Sequence, residues 1–255
     1  MCSSDLCDSS QIEARVLAWL AGQNDVTEQF RKGEDVYSIF ATKIYKKPIS
    51  KANPVERFVG KTCILGLGYG TGAAKLRHTL KTQPPGADLE EEDCKRIVNL
   101  YRESNHMITD LWRECDSCLT HLSSWPHQIK PYAIGKHKAV KATKEGIRLP
   151  NDLYIRYPEL RCTDGKYTYK SRRGITSIWG GAMVENIVQA LARIIVGEQM
   201  LKIKERYPVV LTVHDAAVVL VKEDEKDKAE AFIVECMSTA PDWAEGLPVA
   251  CEAKF

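Results

Sequence analysis

The sequence predicts a mixed α/β (α+β) fold, helices joined to a strand pair, from three stretches whose periods differ. Residues 56–72, ERFVGKTCILGLGYGTG, carry Arg57, Lys61, Leu65 and Tyr69 at every fourth position, the repeat of one slowly turning helix face. Residues 175–206 also space their apolar side chains as a long helix does. Residues 209–221, VVLTVHDAAVVLV, instead set two β-rich apolar runs about His214-Asp215, the pattern of a tight hairpin with a polar tip. A chain of 255 residues has room for one large or two small domains with a real core.

Composition narrows the function classes. The formal net charge is +2, so the global balance announces neither a nucleic-acid nor an acidic partner, and local runs matter more. No N-terminal apolar stretch reads as a signal peptide and no run reaches the length of a membrane span. Nine cysteines, an odd number without an export signal, read as reduced thiols in a cytoplasmic setting. Cys115-x-x-Cys118 with His121 and His127 suggests zinc, but there is no second cysteine pair and the stretch reads as helix. Buried or surface thiols are the better reading.

Taken in order, the chain begins with CSSDLC (residues 2–7), too polar for a buried strand, so a strand here is expected to be missing or poorly formed. Asp8-Ser9-Ser10-Gln11-Ile12-Glu13-Ala14-Arg15 then leads into the apolar VLAWLAG, and Ser10-x-x-Glu13 reads as a capping box. Residues 24–55 read as short helices with a turn at Lys47-Pro48, and Asn53-Pro54 is a helix start with proline at its first position. The central helix is expected over 54–70. Its face offers two cations to a polyphosphate and two further positions to a sugar and a base, and its glycines permit close approach. A solvated amphipathic helix with a glycine C-cap is the plain alternative. Gly60-Lys61-Thr62 does not complete a phosphate loop, because Val55 stands where that motif needs glycine.

Thr82 to Gly86 breaks the chain with two prolines, and the acids of Asp88–Asp93 open what reads as one helix to about residue 122. Basic residues gather at Lys130, Lys136, Lys138, Lys141, Lys144 and Arg148, and again in Lys166-Tyr167-Thr168-Tyr169-Lys170-Ser171-Arg172-Arg173 after a hairpin-like 146–160. Cations laced with tyrosines suit a nucleic-acid backbone groove, or merely a solvated strand. Within 175–206, Asn186 and Gln189 are amides in an apolar sequence, to be satisfied by core partners or by a minor-groove edge. An aspartate between two buried strands, as Asp215 would be, needs compensation by a charge or hydrogen bonds.

These residues together carry a resemblance. Arg57-x3-Lys61-x3-Leu65-x3-Tyr69-Gly70 resembles the fingers-helix motif of family A (DNA polymerase I-like) DNA polymerases, phage type. Asp8 to Arg15 resembles the first palm motif, and His214-Asp215 the palm hairpin, with Ala216 where that family has glutamate. The resemblance implies a palm with an antiparallel sheet and a mainly helical fingers part. Residues 1–22 and 146–255 would be palm and 23–145 fingers, with the thumb and exonuclease domains absent. It implies a template-directed DNA polymerase in phage replication, adding deoxynucleotides to a primer 3′-hydroxyl, with Asp8 and Asp215 holding two Mg²⁺ ions. Arg57 and Lys61 would neutralise the triphosphate, and Lys61 would protonate the leaving pyrophosphate.

Glu13 would sit under the sugar and crowd out a 2′-hydroxyl. Leu65 stands where the family more often has an aromatic, and Tyr69 and Gly70 would shape the pocket. Gln189, His214 and Arg15 would face the DNA. The implied partners are primer-template DNA, deoxynucleoside triphosphates, and a missing N-terminal segment or a processivity factor, in the host cytoplasm and away from membranes. An inactive or partial DNA-binding remnant, or one piece of a split polymerase, is the alternative, and feeble extension by these residues alone is expected.

Overall fold

The computed structural model describes residues 2–124 and 129–254. Strand β1 (Cys2–Ser9) leads into helix α1 (Ile12–Ala21), followed by α2 (Asn24–Arg31), α3 (Val36–Tyr45), α4 (Pro54–Leu67), α5 (Ala73–Thr82), α6 (Glu91–Ser104) and α7 (His106–Ser123). Strands β2 (Tyr132–Ile134), β3 (Val140–Thr143), β4 (Gly146–Arg148) and β5 (Tyr154–Ile155) form one antiparallel sheet; β6 (Arg161–Thr163), β7 (Lys166–Ser171) and β8 (Gly174–Ile178) form another. Helix α8 (Gly180–Lys204), strands β9 (Val209–Val213) and β10 (Ala216–Lys222), helix α9 (Lys226–Met237) and β11 (Cys251–Lys254) follow. The predicted class holds: antiparallel sheets beside a long helical run. Strands β3 and β4 pair across residue 145, so a boundary drawn there divides a hairpin.

The third sheet has the order β11-β1-β10-β9, which puts β1 in its interior. The expectation of a missing or poorly formed first strand is therefore corrected. Pairing runs from Cys2 opposite Lys222 to Asp8 opposite Ala216 on one side, and from Leu6 opposite Lys254 to Ser9 opposite Cys251 on the other. Backbone hydrogen bonds on both edges hold an extended strand that the polar sequence alone does not advertise. Beneath the sheet, Cys7, Ala217, Val219 and Val221 pack with Ile233, Met237 and Ile203 in a small core. The larger core, with Trp19, Leu20, Tyr101, Leu119, Met183 and Ile187, lies among the helices. Helix α8 contributes to both.

Four other local expectations are corrected. The capping box does not form: Gln11 is the N-cap of α1, left-handed at φ 55°, with no side-chain cap bond. The single helix expected from the acidic block divides at Asn105, whose side-chain amide donates to the Tyr101 carbonyl at 2.9 Å; such a local bond competes with the helix ladder. Residues 175–178 belong to β8 and the long helix starts at Gly180, because these residues pair with Tyr167–Lys170 of β7. Strand β9 is no buried strand: it is the sheet edge, with Val210 54 % and Leu211 57 % exposed.

Candidate functional site

The sheet brings two carboxylates to neighbouring strand ends. Asp8 lies directly opposite Ala216 on β10 and Glu252 on β11. His214 and Asp215 form the turn from β9 to β10, with His214 at φ 54°, and the Ser9 N–H donates to the Asp215 carbonyl at 3.3 Å. Asp8 and Asp215 both line a cleft of about 930 Å³. Arg57, Lys61 and Leu65 of α4 line it too, together with Glu13, Gln189 and His214. Residues far apart in sequence thus meet on one surface because the strand ends of one sheet, α4 and α8 border the same space.

Helix α4 starts at Pro54 and ends at Leu67, so Tyr69 and Gly70 lie in the turn beyond it rather than in a helix reaching residue 70. Its inner side rests on α3 at Gly60, where a Cβ would stand 2.2 Å from the Tyr37 carbonyl oxygen. That contact orients the opposite side toward the cleft. Arg57 is engaged there: its Nε donates to Asp35 at 2.6 Å and its Nη2 at 3.1 Å, and it lies 5.3 Å from the Tyr37 ring centre. Burial alone would raise the Asp35 carboxyl, but hydrogen bonds from Arg57 and Ser38 and the guanidinium charge hold it below the usual carboxylate range. Lys61 is exposed and has no side-chain partner among the described residues, and Leu65 is 39 % exposed beside it. A cation with free donors next to an apolar side chain suits a ligand with an anionic end and a flat or sugar-like end.

Glu13 lines the cleft, and Tyr69 holds it from behind. The Tyr69 hydroxyl donates to Glu13 Oε2 at 3.4 Å. Burial raises the Glu13 carboxyl, the Tyr69 bond lowers it, and the negative charges of Glu185 and Asp215 raise it further. Tyr69 is itself pushed up by burial and by Glu13. Gly70, at φ 77°, abuts Trp179, whose ring carbon a Cβ would meet at 2.1 Å. Neither Tyr69 nor Gly70 lines the cleft surface; they stand behind it.

Arg15 is 6 % exposed, its guanidinium stacks 4.6 Å over Phe30, and its nitrogens donate to the carbonyls of Ser10, Phe30 and Pro248. The side chain ties α1 to the C-terminal segment while also lining the cleft, so most of its donors go to the protein's own carbonyls. Gln189 is exposed on α8 and borders the cleft with Arg193, one helical turn on; Asn186 donates to the Tyr157 hydroxyl at 3.2 Å. The buried amide of α8 is Gln199, which donates to the Met237 and Thr239 carbonyls. Asp35, Lys51, Arg193 and Glu252 line the cleft without having been singled out in the sequence. Four-residue spacing from Gln189 would have found Arg193; no local signal marks Glu252, which owes its place to strand pairing.

Carboxylate oxygens are the donors a hard divalent cation prefers, yet among the described residues no three acidic, histidine or cysteine side chains converge closely enough to hold one. Asp8, Asp215 and Glu252 present carboxylate oxygens to one open cleft, and Asp215 already makes itself felt as negative charge at Glu13. By contrast, Cys115 and Cys118 are fully buried in α7, and His121 Nδ1 shares a hydrogen bond of 2.9 Å with the Tyr132 hydroxyl. His127 lies outside the described residues.

Residues 4–124 match the family described as DNA polymerase family A. A DNA polymerase of Bacillus phage SP02 is 31 % identical, over 96 % of this chain and 39 % of its own length. DNA polymerase I of Rhizobium leguminosarum is 24 % identical over 97 % of this chain and 22 % of its own. Among solved structures, the polymerase domain of Mycobacterium smegmatis Pol1, in complex with DNA primer-template and dNTP, superposes with a TM-score of 0.65 at 19 % identity, over 98 % of this chain and 38 % of that one. The fold is therefore shared, and the chain spans about two fifths or less of the length of these relatives.

Proposed function

We propose, for a chain that belongs with the DNA polymerases of family A, that the cleft is a nucleotidyl-transfer site extending a DNA primer along a template. The observation carrying this reading is the convergence of Asp8 and Asp215 with the Arg57-Lys61-Leu65 face of α4 in one cleft. Two Mg²⁺ ions, held by Asp8 and Asp215, would supply Lewis-acid activation of the 3′-hydroxyl and charge neutralisation at the triphosphate.

The chain's own residues do the positioning. Lys61, with its donors free, binds the triphosphate and is placed to give a proton to the departing pyrophosphate. Arg57 joins it by exchanging Asp35 for phosphate oxygens, so nucleotide binding competes with an ion pair already made. Leu65 packs against sugar and base. Glu13, fixed by Tyr69, fills the space below the sugar and rejects a 2′-hydroxyl. Gln189 and His214, which also line the cleft, face the primer-template. Residues 1–22 and the region from β2 to β11 act as palm and helices α2 to α7 as fingers, working in the host cytoplasm on a phage genome.

Primer extension with Mg²⁺ and labelled primer tests the reading. The parent is expected to extend the primer, and Asp8→Ala or Asp215→Ala to abolish extension while leaving the melting temperature within a few degrees. A parent that binds primer-template yet extends nothing, even when supplied with the remaining segments its relatives carry, would overturn catalysis in favour of a binding remnant.

A further inference from the structure

We infer that the outward face of the β6–β8 sheet, with its Arg172-Arg173 tip, grips the phosphate backbone of the primer-template. This rests on the polymerase reading above and goes beyond it, because no cleft residue belongs to this sheet.

The sheet has two unlike sides. Along β7, Tyr167 and Tyr169 face the protein: the Tyr167 hydroxyl shares a 2.8 Å hydrogen bond with Thr120 of α7, and the Tyr169 ring meets Tyr157 edge-on at 5.2 Å. Tyr157 is in turn held by Asn186, one turn from Gln189 on α8. The tyrosines thus fasten the sheet to the helix that borders the cleft. Alternation sends Lys166 and Lys170 to the other side. Cross-strand pairing adds Arg161, opposite Thr168, and Ile175, opposite Lys170 and 71 % exposed, to that same face. Arg172 and Arg173 stand exposed in the turn between β7 and β8.

Charge decides what such a face is for. Residues 159–178 hold five cations against Glu159 and Asp164, a local net of +3 in a chain whose total is only +2. The rest of the molecule is then slightly acidic. Glu159 engages Arg161 at 3.5 Å and Lys170 at 3.1 Å, whereas Lys166, Arg172 and Arg173 form no ion pair among the described residues. Three cations left unneutralised on a rigid ribbon are what a polyanion requires. Lys166 and Lys170 stand about 13 Å apart along the strand, the axial rise of roughly four nucleotides. A small anion would need convergent donors; a spread row suits a continuous backbone.

The test measures primer-template affinity of the full chain by fluorescence anisotropy across a salt series. The variant Lys166→Ala/Arg172→Ala/Arg173→Ala is compared with Lys32→Ala/Lys81→Ala/Lys95→Ala, which removes three exposed cations from the fingers helices. Three lost phosphate contacts should flatten the slope of log affinity against log salt by about 2 to 3 and weaken binding roughly tenfold or more at moderate salt. The control triple should leave the slope unchanged. Nucleotide KM in extension assays should stay at the parent value. A charge-reversing pair, Arg172→Glu/Arg173→Glu, should weaken binding further, with melting temperature confirming that each variant folds. A parent that binds and a sheet triple that binds with the same affinity and slope would overturn the inference alone. A parent with neither binding nor extension would overturn the polymerase reading first, and this inference with it.

Discussion

At the scale of single residues, the electrostatics of Glu13 and the sugar-selecting role proposed for it can be separated. Burial and the charges of Glu185 and Asp215 raise its carboxyl, with Tyr69 opposing them in part. A raised acid stabilises the fold in its protonated form, below its unfolded value, and that stability is lost as pH rises through the folded value. Glu13→Gln should therefore melt higher than the parent at pH 8 and equal to it near pH 4. A pH-independent difference would assign the effect to packing. Glu13→Ala should instead relax sugar discrimination, read as the ratio of ribonucleotide to deoxynucleotide incorporation.

Glu252 makes a complementary case. Asp8 sits between Ala216 and Glu252, so the carboxylate absent from one flank is present on the other. Glu252→Gln is expected to raise several-fold the Mg²⁺ concentration that half-maximally stabilises the protein in thermal melts. An unchanged midpoint would leave the cation to Asp8 and Asp215 alone. Asp8 and Asp215 were legible as motif residues. Glu252 was not, because pairing between distant strands has no local signature. Arg15 shows the converse: its place in the motif suggested a ligand contact, and its burial and carbonyl bonds add a structural one that no local signal announced.

Among elements, α4 shows why a four-residue repeat was informative and where it stopped. The repeat placed Arg57, Lys61 and Leu65 on one cleft-facing side. It could not show that the helix ends at Leu67, which depends on Gly68 and on the Trp112 indole donating to the Gly68 carbonyl at 2.8 Å. Gly60, which looked like part of a phosphate loop, is a contact point with α3. Gly60→Ala would push a methyl into the Tyr37 carbonyl, and overpacking of this kind costs about 1–3 kcal/mol. The expected outcome is a melting temperature lower by several degrees and a higher nucleotide KM, since Arg57 and Asp35 sit on the two helices forced apart. An unchanged KM would show that the helix face is held by other contacts. Helix boundaries at Asn105 and Gly180 were missed because a side-chain bond and a strand partner overrode the apolar spacing.

For the whole molecule, the mixed class was legible because helical and strand periods are both local. The order of strands was not. Edge strand β9 leaves Val210, Leu211 and Val213 exposed, a row open to pairing with other chains. Leu211→Lys should raise soluble yield while shifting stability by no more than about 0.5 kcal/mol. A large drop in melting temperature would mean that the edge is covered in the intact protein. The interior place of β1 has a consequence for how the chain matures during synthesis. Asp8 leaves the ribosome more than two hundred residues before its neighbours Ala216 and Glu252. Contacts so distant in sequence close late, after the helices between them have packed locally. A nascent chain arrested before β11 emerges should hold folded helices and an unfinished sheet, protected from protease over α3 to α7 and cut readily within β1. The group of carboxylates that lines the cleft is therefore complete only once β11 has emerged and paired with β1.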